Sequence, residues 1–201
     1  MREIEVKILE IEKDAVEERL RKLEARKTLD AVLTQETYDL PGQKLRKQHK
    51  TLRIRTDGKE TILAFKQPIP GISDAHAKAR DESELSVENF AQAGHILTLL
   101  GYHRTTLLKK HRVSYSLPLP SQASGKGSKI PVHFDIDSYI TYENHERRIV
   151  KKYDLRHIPP FLEIEGRSIH MIYHYASLLG FKAKDCKPLS TMALLKHYHI
   201  S

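Results

Sequence analysis

Residues 1–10 read MREIEVKILE, and the alternation Glu3-Ile4-Glu5-Val6-Lys7-Ile8 inside them sets how the rest of the chain is read. Successive side chains of a strand point to opposite faces, so Glu3, Glu5 and Lys7 share one face and Ile4, Val6 and Ile8 the other. Residues 159–168, PPFLEIEGRS, repeat the pattern, with Glu163 and Glu165 together and Leu162 and Ile164 behind them. An ordinary solvated sheet face mixes Thr, Ser, Gln and Asn with charge. Here the face is nearly all charge. Arg53 and Arg55 alternate with Leu52 and Ile54, and Lys66 lies opposite Leu63 and Phe65. Glu82 pairs with Glu84 and Lys110 with Arg112, while Asp135 alternates with Phe134 and Ile136 and is followed by Asp137.

Turn and helix signals divide the chain between these strands. EKDAVEERLRKLEA (12–25) carries Ala15, Val16, Leu20 and Leu23 at helical spacing, with acids early, which suits the helix dipole. Strands are expected over LTQETYDL (33–40), ended by Pro41-Gly42, over TLRIRT (51–56), ended by a hairpin turn at Asp57-Gly58, and over ETILAFKQP (60–68). IPGISDAHAKA (69–79) reads as a loop, and RDESELSV (80–87) alternates again. A helix over about 88–100 closes at Gly101. LLKKHRVSYSL (107–117) and IPVHFDIDSYI (130–140) read as strands joined by the polar PLPSQASGKGS (118–128). FLEIEG (161–166) is a further strand. SIHMIYHYASLLG (168–180) is a helix with Ser168 as N-cap and Gly180 as its stop, and LSTMALLKHY (189–198) adds a final helical turn or two. The segment between Tyr139 and Pro159 reads as an insertion of unassigned structure.

About eight antiparallel strands can close into a barrel, and the chain is therefore expected to be an α+β protein: a closed eight-stranded antiparallel barrel with a charged lumen and helices packed outside. Unpaired charges in such a space are costly, so acids and bases must neutralise one another or be neutralised by a ligand. Lys7, Arg53, Arg55, Lys66, Lys110 and Arg112 suit a polyanion: Arg forks grip phosphate oxygens and Lys acts as a point charge. Glu3, Glu5, Asp135, Glu163 and Glu165 are hard oxygen donors, which select Mg²⁺ or Mn²⁺ over zinc. A metal bridging carboxylates and phosphate oxygens resolves the conflict.

At this point the residues resemble a family. EIEVK (3–7) is similar to the ExExK strand of the CYTH superfamily, the triphosphate tunnel metalloenzymes, which include class IV adenylyl cyclases, thiamine triphosphatases and inorganic triphosphatases. TYDLPGQKL, LRIR, AFKQP, RDESEL, KHRVSY, FDID and FLEIEG follow in the family's order. The resemblance covers about residues 1–182 of a single domain spanning 1–201, with 183–201 as a helical tail. It implies a metal held by Glu3, Glu5, Asp135, Glu163 and Glu165, and a triphosphate held by Lys7, Arg53, Arg55, Lys66, Lys110 and Arg112. It also implies catalytic roles for Glu5, Glu165 and Lys7, with Glu5 or Glu165 orienting water. The chain departs from the pattern at Gln35 and Thr37, where an acid is common, and in the long SYITYENHERRIVKKYDLRHIPP (138–160) between its closing strands. That insertion is expected to lid a tunnel mouth or to meet a partner. Lys182 or Lys187 is a candidate for the outer phosphate.

Composition agrees with an anionic partner: Lys and Arg number 34 against 26 Asp and Glu, a formal charge of +8 over 201 residues. The single Cys186 excludes an intramolecular disulfide and suits a reducing compartment. The longest apolar run, HILTLLGY (95–102), is far short of a membrane span, so no membrane partner and a cytoplasmic location are expected. The expected activity is metal-dependent hydrolysis of a triphosphate-containing small molecule, inorganic or organic. The alternatives are a class IV-type adenylyl cyclase making cyclic AMP from ATP, and a non-catalytic polyphosphate- or nucleic-acid-binding module. The basic run GQKLRKQHKTLRIRTDGK (42–59) motivates the latter, with Lys44, Arg46, Lys47 and Lys50 as an outward patch. Nucleic acid is the weaker reading because the acid set would then lack a purpose, and a homodimer stays open. His170 and His174, four apart on a helix without HExxH, are assigned no metal.

Overall fold

The computed structural model of the protein describes residues 2–69, 78–118, 131–147 and 149–200, and only the backbone of residues 2, 3, 78, 146, 147 and 149. Among them the strands are β1 (Arg2–Ile8), β2 (Arg26–Asp39), β3 (Thr51–Thr56), β4 (Thr61–Pro68), β5 (Lys78–Ser86), β6 (His103–Leu117), β7 (Val132–Arg147), β8 (Ile149–Asp154) and β9 (Phe161–Gly166). The helices are α1 (Lys13–Lys22), the short α2 (Lys44–Lys47), α3 (Phe90–Leu99), α4 (Ile169–Leu178) and α5 (Thr191–His197). Every pairing is antiparallel, in the order β6-β2-β3-β4-β5-β1-β9-β7, and β7 pairs back onto β6 to close an eight-stranded barrel. β8 lies outside the ring as a hairpin partner of β7.

The alternation seen in the sequence decides what each face touches. Ile4, Val6, Val113, Phe134, Ile136, Leu162 and Ile164 point outward and are buried under α1 and α4, which contribute Val16, Leu20, Ile172 and Ala176. A second outer cluster joins Tyr38, Leu52 and Ile54 to Leu97 of α3. Ser168 caps α4 as expected, its Oγ accepting from Met171 N at 3.2 Å, and Gly101 and Gly180 end their helices with φ of 91° and 84°.

The strands that carry little alternation differ from expectation. β2 starts at Arg26 and β6 at His103, because the two pair along nearly their whole length, Arg26 with Ser116 through Asp39 with His103. Neighbour pairing carries a polar stretch such as Arg26–Leu29 into the sheet where side-chain pattern gives no signal. The insertion after Tyr139 is a continuation of β7 followed by β8, and the residues after β8 turn inward. Leu155 and Ile158 are buried with Leu194 and Leu195 of α5 against Leu108, Tyr139, Tyr142 and Phe161. The expected tail helix is thus seated on one end of the barrel. The loops expected at 69–79 and 118–128 fall largely outside the described residues. No helix is long and apolar enough to cross a membrane.

Candidate active site

A cavity of about 660 Å³ occupies the lumen and is lined by the inward rows of the strands. β1 supplies Glu5 and Lys7, β3 Arg53 and Arg55, β4 Lys66, β5 Arg80, Glu82 and Glu84, β6 Lys110 and Arg112, β7 Asp135, and β9 Glu163 and Glu165. Of the strand residues assigned from the sequence to metal, phosphate or catalysis, all but Glu3 line this one space; the side chain of Glu3 lies outside the described residues.

Cations and acids are not spread evenly over the lumen. On the side made by β1, β9, β7 and β6 the charges interlock. Lys7 is only 2% exposed. Its Nζ pairs with Glu163 and lies 3.4 Å from Glu5, and its backbone exchanges two 2.8 Å hydrogen bonds with Lys187, which fixes β1 at that point. Arg112 grips Asp137 with Nε to Oδ1 at 2.7 Å and Nη2 to Oδ2 at 2.6 Å, and also pairs with Asp135 and Glu163. Lys110 donates to Asp137 Oδ2 at 2.6 Å, and Ser114 Oγ to Asp135 Oδ1 at 2.6 Å. Burial works against every one of these charges. For Glu163 it is outweighed by Lys7, Arg112 and Lys110, which hold the carboxyl well below its usual range. For Lys7 it is outweighed by Glu163 and Glu5, which raise it. Lys110 goes the other way: burial and the neighbouring Arg112 lower it in spite of Asp137 and Glu163.

The wall made by β3 and β4 is different. Lys66 is paired with Glu82, and Arg53 Nη2 lies 3.5 Å from Glu84. Arg53 Nε is buried without a hydrogen-bond partner among the described residues. Among the described residues Arg55 makes no ion pair, and burial together with the like charges of Arg53 and Arg112 brings it down to about 10. A bound anion would relieve a cation held in that condition.

Divalent-metal fit rests on the donor set. Glu5 stands directly across from Glu165 in the register of β1 and β9. Two carboxylates plus phosphate oxygens are what Mg²⁺ takes, in preference to an all-protein cage. Among the described residues no group of three or more His, Cys, Asp and Glu side chains is placed to hold an ion. Asp135 and Glu163, assigned to the metal from the sequence, are engaged by Arg112 and, for Glu163, Lys7.

The lumen also contains residues that the sequence reading left without a role. Asp137 is 0% exposed and organises Lys110 and Arg112; it continues the period-two series of Asp135 and could have been found from it. Arg80, Glu82 and Glu84 were legible in RDESEL. Arg46 and Lys50, expected on an outward patch, line the cavity with His49, whereas Lys44 and Lys47 do not. Ser190, Thr191 and Met192 reach it from α5, which no local pattern predicts. Lys182 and Lys187 are exposed and do not line it, and His170 and His174 are exposed on α4.

The family model of the CYTH domain matches residues 1–165. No curated protein matches the sequence. Among solved structures the chain is similar to a conserved hypothetical protein from Pyrococcus furiosus, at 20% identity and a TM-score of 0.65, covering 96% of this chain and 99% of that one. It is also similar to a proposed adenylate cyclase from Vibrio parahaemolyticus, at 16% and 0.70, covering 96% and 97%. A third likeness is to a proposed adenylyl cyclase from Hippeastrum with a dominant triphosphatase activity, at 14% and 0.54, covering 98% and 96%. At these identities the structural likeness is one of fold. The match over most of the chain, together with the closed barrel and its charged lumen, places the protein in the CYTH family, whose members are metal-dependent triphosphatases or adenylyl cyclases.

Proposed function

We propose that the protein hydrolyses inorganic triphosphate in a divalent-metal-dependent reaction within the lumen. The observation that carries this reading is the Arg53–Arg55 wall: a buried Nε without a hydrogen-bond partner among the described residues and a guanidinium lowered by burial and by the like charges of Arg53 and Arg112, facing a space large enough for a phosphate chain. Arg53, Arg55, Lys66, Lys110, Arg112 and Lys7 hold the phosphates. Glu5 of β1 and Glu165 of β9 hold Mg²⁺ or Mn²⁺, with Glu3, two residues before Glu5 in the sequence, as the further ligand the family resemblance implies; Asp135 and Glu163 complete the acid set while orienting Arg112 and Lys7. A divalent ion there supplies charge neutralisation of the phosphate oxygens.

The remaining work belongs to the chain. Glu5 or Glu165 accepts a hydrogen bond from a water and aims its oxygen in line with the terminal phosphorus. As the new P–O bond forms, the bridging P–O bond breaks, and pyrophosphate leaves with the electron pair. Lys7, already charged and fixed by its backbone pairing, and the arginines stabilise the negative charge on the transferring group. A cyclase would in addition have to hold adenine. The aromatic residues among those that line the cavity are Tyr38 and Tyr142, which are 4% and 2% exposed and so offer no face to a base.

The test is to incubate the protein with Mg²⁺ or Mn²⁺ and, separately, tripolyphosphate, ATP and thiamine triphosphate, and to separate the products chromatographically. Phosphate and pyrophosphate from the first are expected, with Glu5→Gln abolishing metal-dependent turnover and Lys47→Ala leaving it within about twofold. Cyclic AMP from ATP, or binding of every triphosphate without turnover, would overturn the reading.

A further inference from the structure

Beyond the wall that meets a triphosphate, the cavity continues to a basic rim that the proposed reaction does not use. Arg46, His49 and Lys50, on α2 and the turn after it, line the cavity where β2 ends and β3 begins. Arg46 and His49 are exposed and Lys50 is half-buried. Lys50 stands three residues before Arg53, about 10 Å further along the strand direction. The turn is firmly built. Asp39 Oδ1 accepts from Leu40 N at 2.7 Å and Leu45 N at 2.8 Å, and its Oδ2 from Arg46 N at 3.0 Å. Gln43 and His49, on either side of α2, hold left-handed backbones with φ of 58° and 56°, uncommon for residues with a Cβ. A merely solvated basic run needs no such anchoring.

The opposite end of the cavity has the other sign. There the loop between β3 and β4 brings Asp57 and Glu60 to the lining. At the α2 end the lining acid, Asp39, is taken up by three backbone N–H groups, so the cations there draw an anion to that end. A substrate portion projecting there meets cations, and with Tyr38 and Tyr142 buried the one ring offered by the rim's described residues is the His49 imidazole. What suits the rim is more phosphate.

We infer that Arg46, His49 and Lys50 form an outer anion subsite that binds the phosphates beyond the third of a linear polyphosphate, an inference that rests on the triphosphate reading of the lumen. The test compares calorimetric titrations of the whole protein with tripolyphosphate and tetrapolyphosphate in EDTA, so that turnover does not intervene. Wild type should bind tetrapolyphosphate about tenfold more tightly than tripolyphosphate, and the double variant Arg46→Ala/Lys50→Ala should lose that gain while holding tripolyphosphate within about twofold. The retained tripolyphosphate affinity doubles as the check that the variant is folded. If the gain survives the double variant, or if both ligands weaken equally, the subsite is wrong while the triphosphate reading stands. If wild type binds neither ligand, that reading falls and takes the subsite with it. A 5′-triphosphorylated oligonucleotide that binds more tightly than tetrapolyphosphate and weakens in the double variant would assign the rim to nucleic acid and overturn the inference.

Discussion

Arg55 shows how a single residue can be placed for function at the expense of stability. Its guanidinium is desolvated and stands beside Arg53 and Arg112, and among the described residues it has no ion-pair partner. Replacing a half-buried charge that makes no ion pair by an apolar side chain of similar length removes a desolvation cost that Glu84 and Asp135 only partly offset. Arg55→Met is therefore expected to raise the unfolding free energy of the ligand-free protein by about 1 kcal/mol, read from urea denaturation. The same change should weaken tripolyphosphate binding by roughly 100-fold, because two charge-assisted hydrogen bonds are lost. A variant that lost both stability and binding would show that Arg55 is structural. Asp137 is the counterpart: fully enclosed, and spent on holding Lys110 and Arg112 in place. The two residues were equally visible in the alternating pattern. Alternation reports which face a side chain takes and says nothing about whether the charge across the lumen is matched, so which of them carries ligand chemistry had to come from geometry.

At the scale of elements, α3 illustrates why local preference is a weak guide. Gly94 sits in the middle of this helix, where Ala is normally better by about 0.5–1 kcal/mol. A Cβ at Gly94 would lie 2.5 Å from Tyr38 Oη. That hydroxyl donates to Glu36 Oε2 at 2.5 Å, and Glu36 is also paired with Arg104. The outer face of β2 thus carries a buried polar network that cannot retreat. Gly94→Ala should destabilise the protein by about 1–3 kcal/mol despite the gain in helix propensity, measured by thermal unfolding, and adding Tyr38→Phe should recover part of the loss. If Gly94→Ala alone is stabilising, the close approach is not a constraint. The β7–β8 hairpin and α5 make the same point. Each is marginal by its own pattern, and each is fixed by Leu155, Ile158, Leu194 and Leu195 burying one another on the barrel end.

At the scale of the whole molecule, the lumen makes stability depend on pH. Glu163 is held well below its usual carboxyl value of 4.5 by Lys7, Arg112 and Lys110. Between that depressed value and 4.5 the unfolded chain binds the extra proton, so the contribution is complete above about 4.5 and is lost as pH falls through the folded value. On the alkaline side Lys7, raised by Glu163 and Glu5, and Lys110, lowered by burial and Arg112, act in opposite senses. The acid limb is thus the diagnostic one. The urea midpoint should fall steeply below about pH 4.5, and Glu163→Gln should lower the plateau while flattening that fall. An unchanged acid limb in this variant would remove Glu163 from the account.

The sequence by itself determined that the strands reserve one face for charge and the other for apolar packing, and hence that they could close only around an ionic interior. That is a local property: it follows from a period of two and needs no knowledge of neighbours. The family's motifs named the acids and bases that line the space. Only the tertiary structure decided which acid met which base. It spent Asp135, Asp137 and Glu163 on Arg112, Lys110 and Lys7, left Arg55 without an ion pair among the described residues, brought Arg46 and Lys50 to the cavity lining, and seated α5 on the barrel end. Those outcomes depend on distances between side chains far apart in the chain, and electrostatic energy inside a low-dielectric space is set by such distances and not by the order of residues.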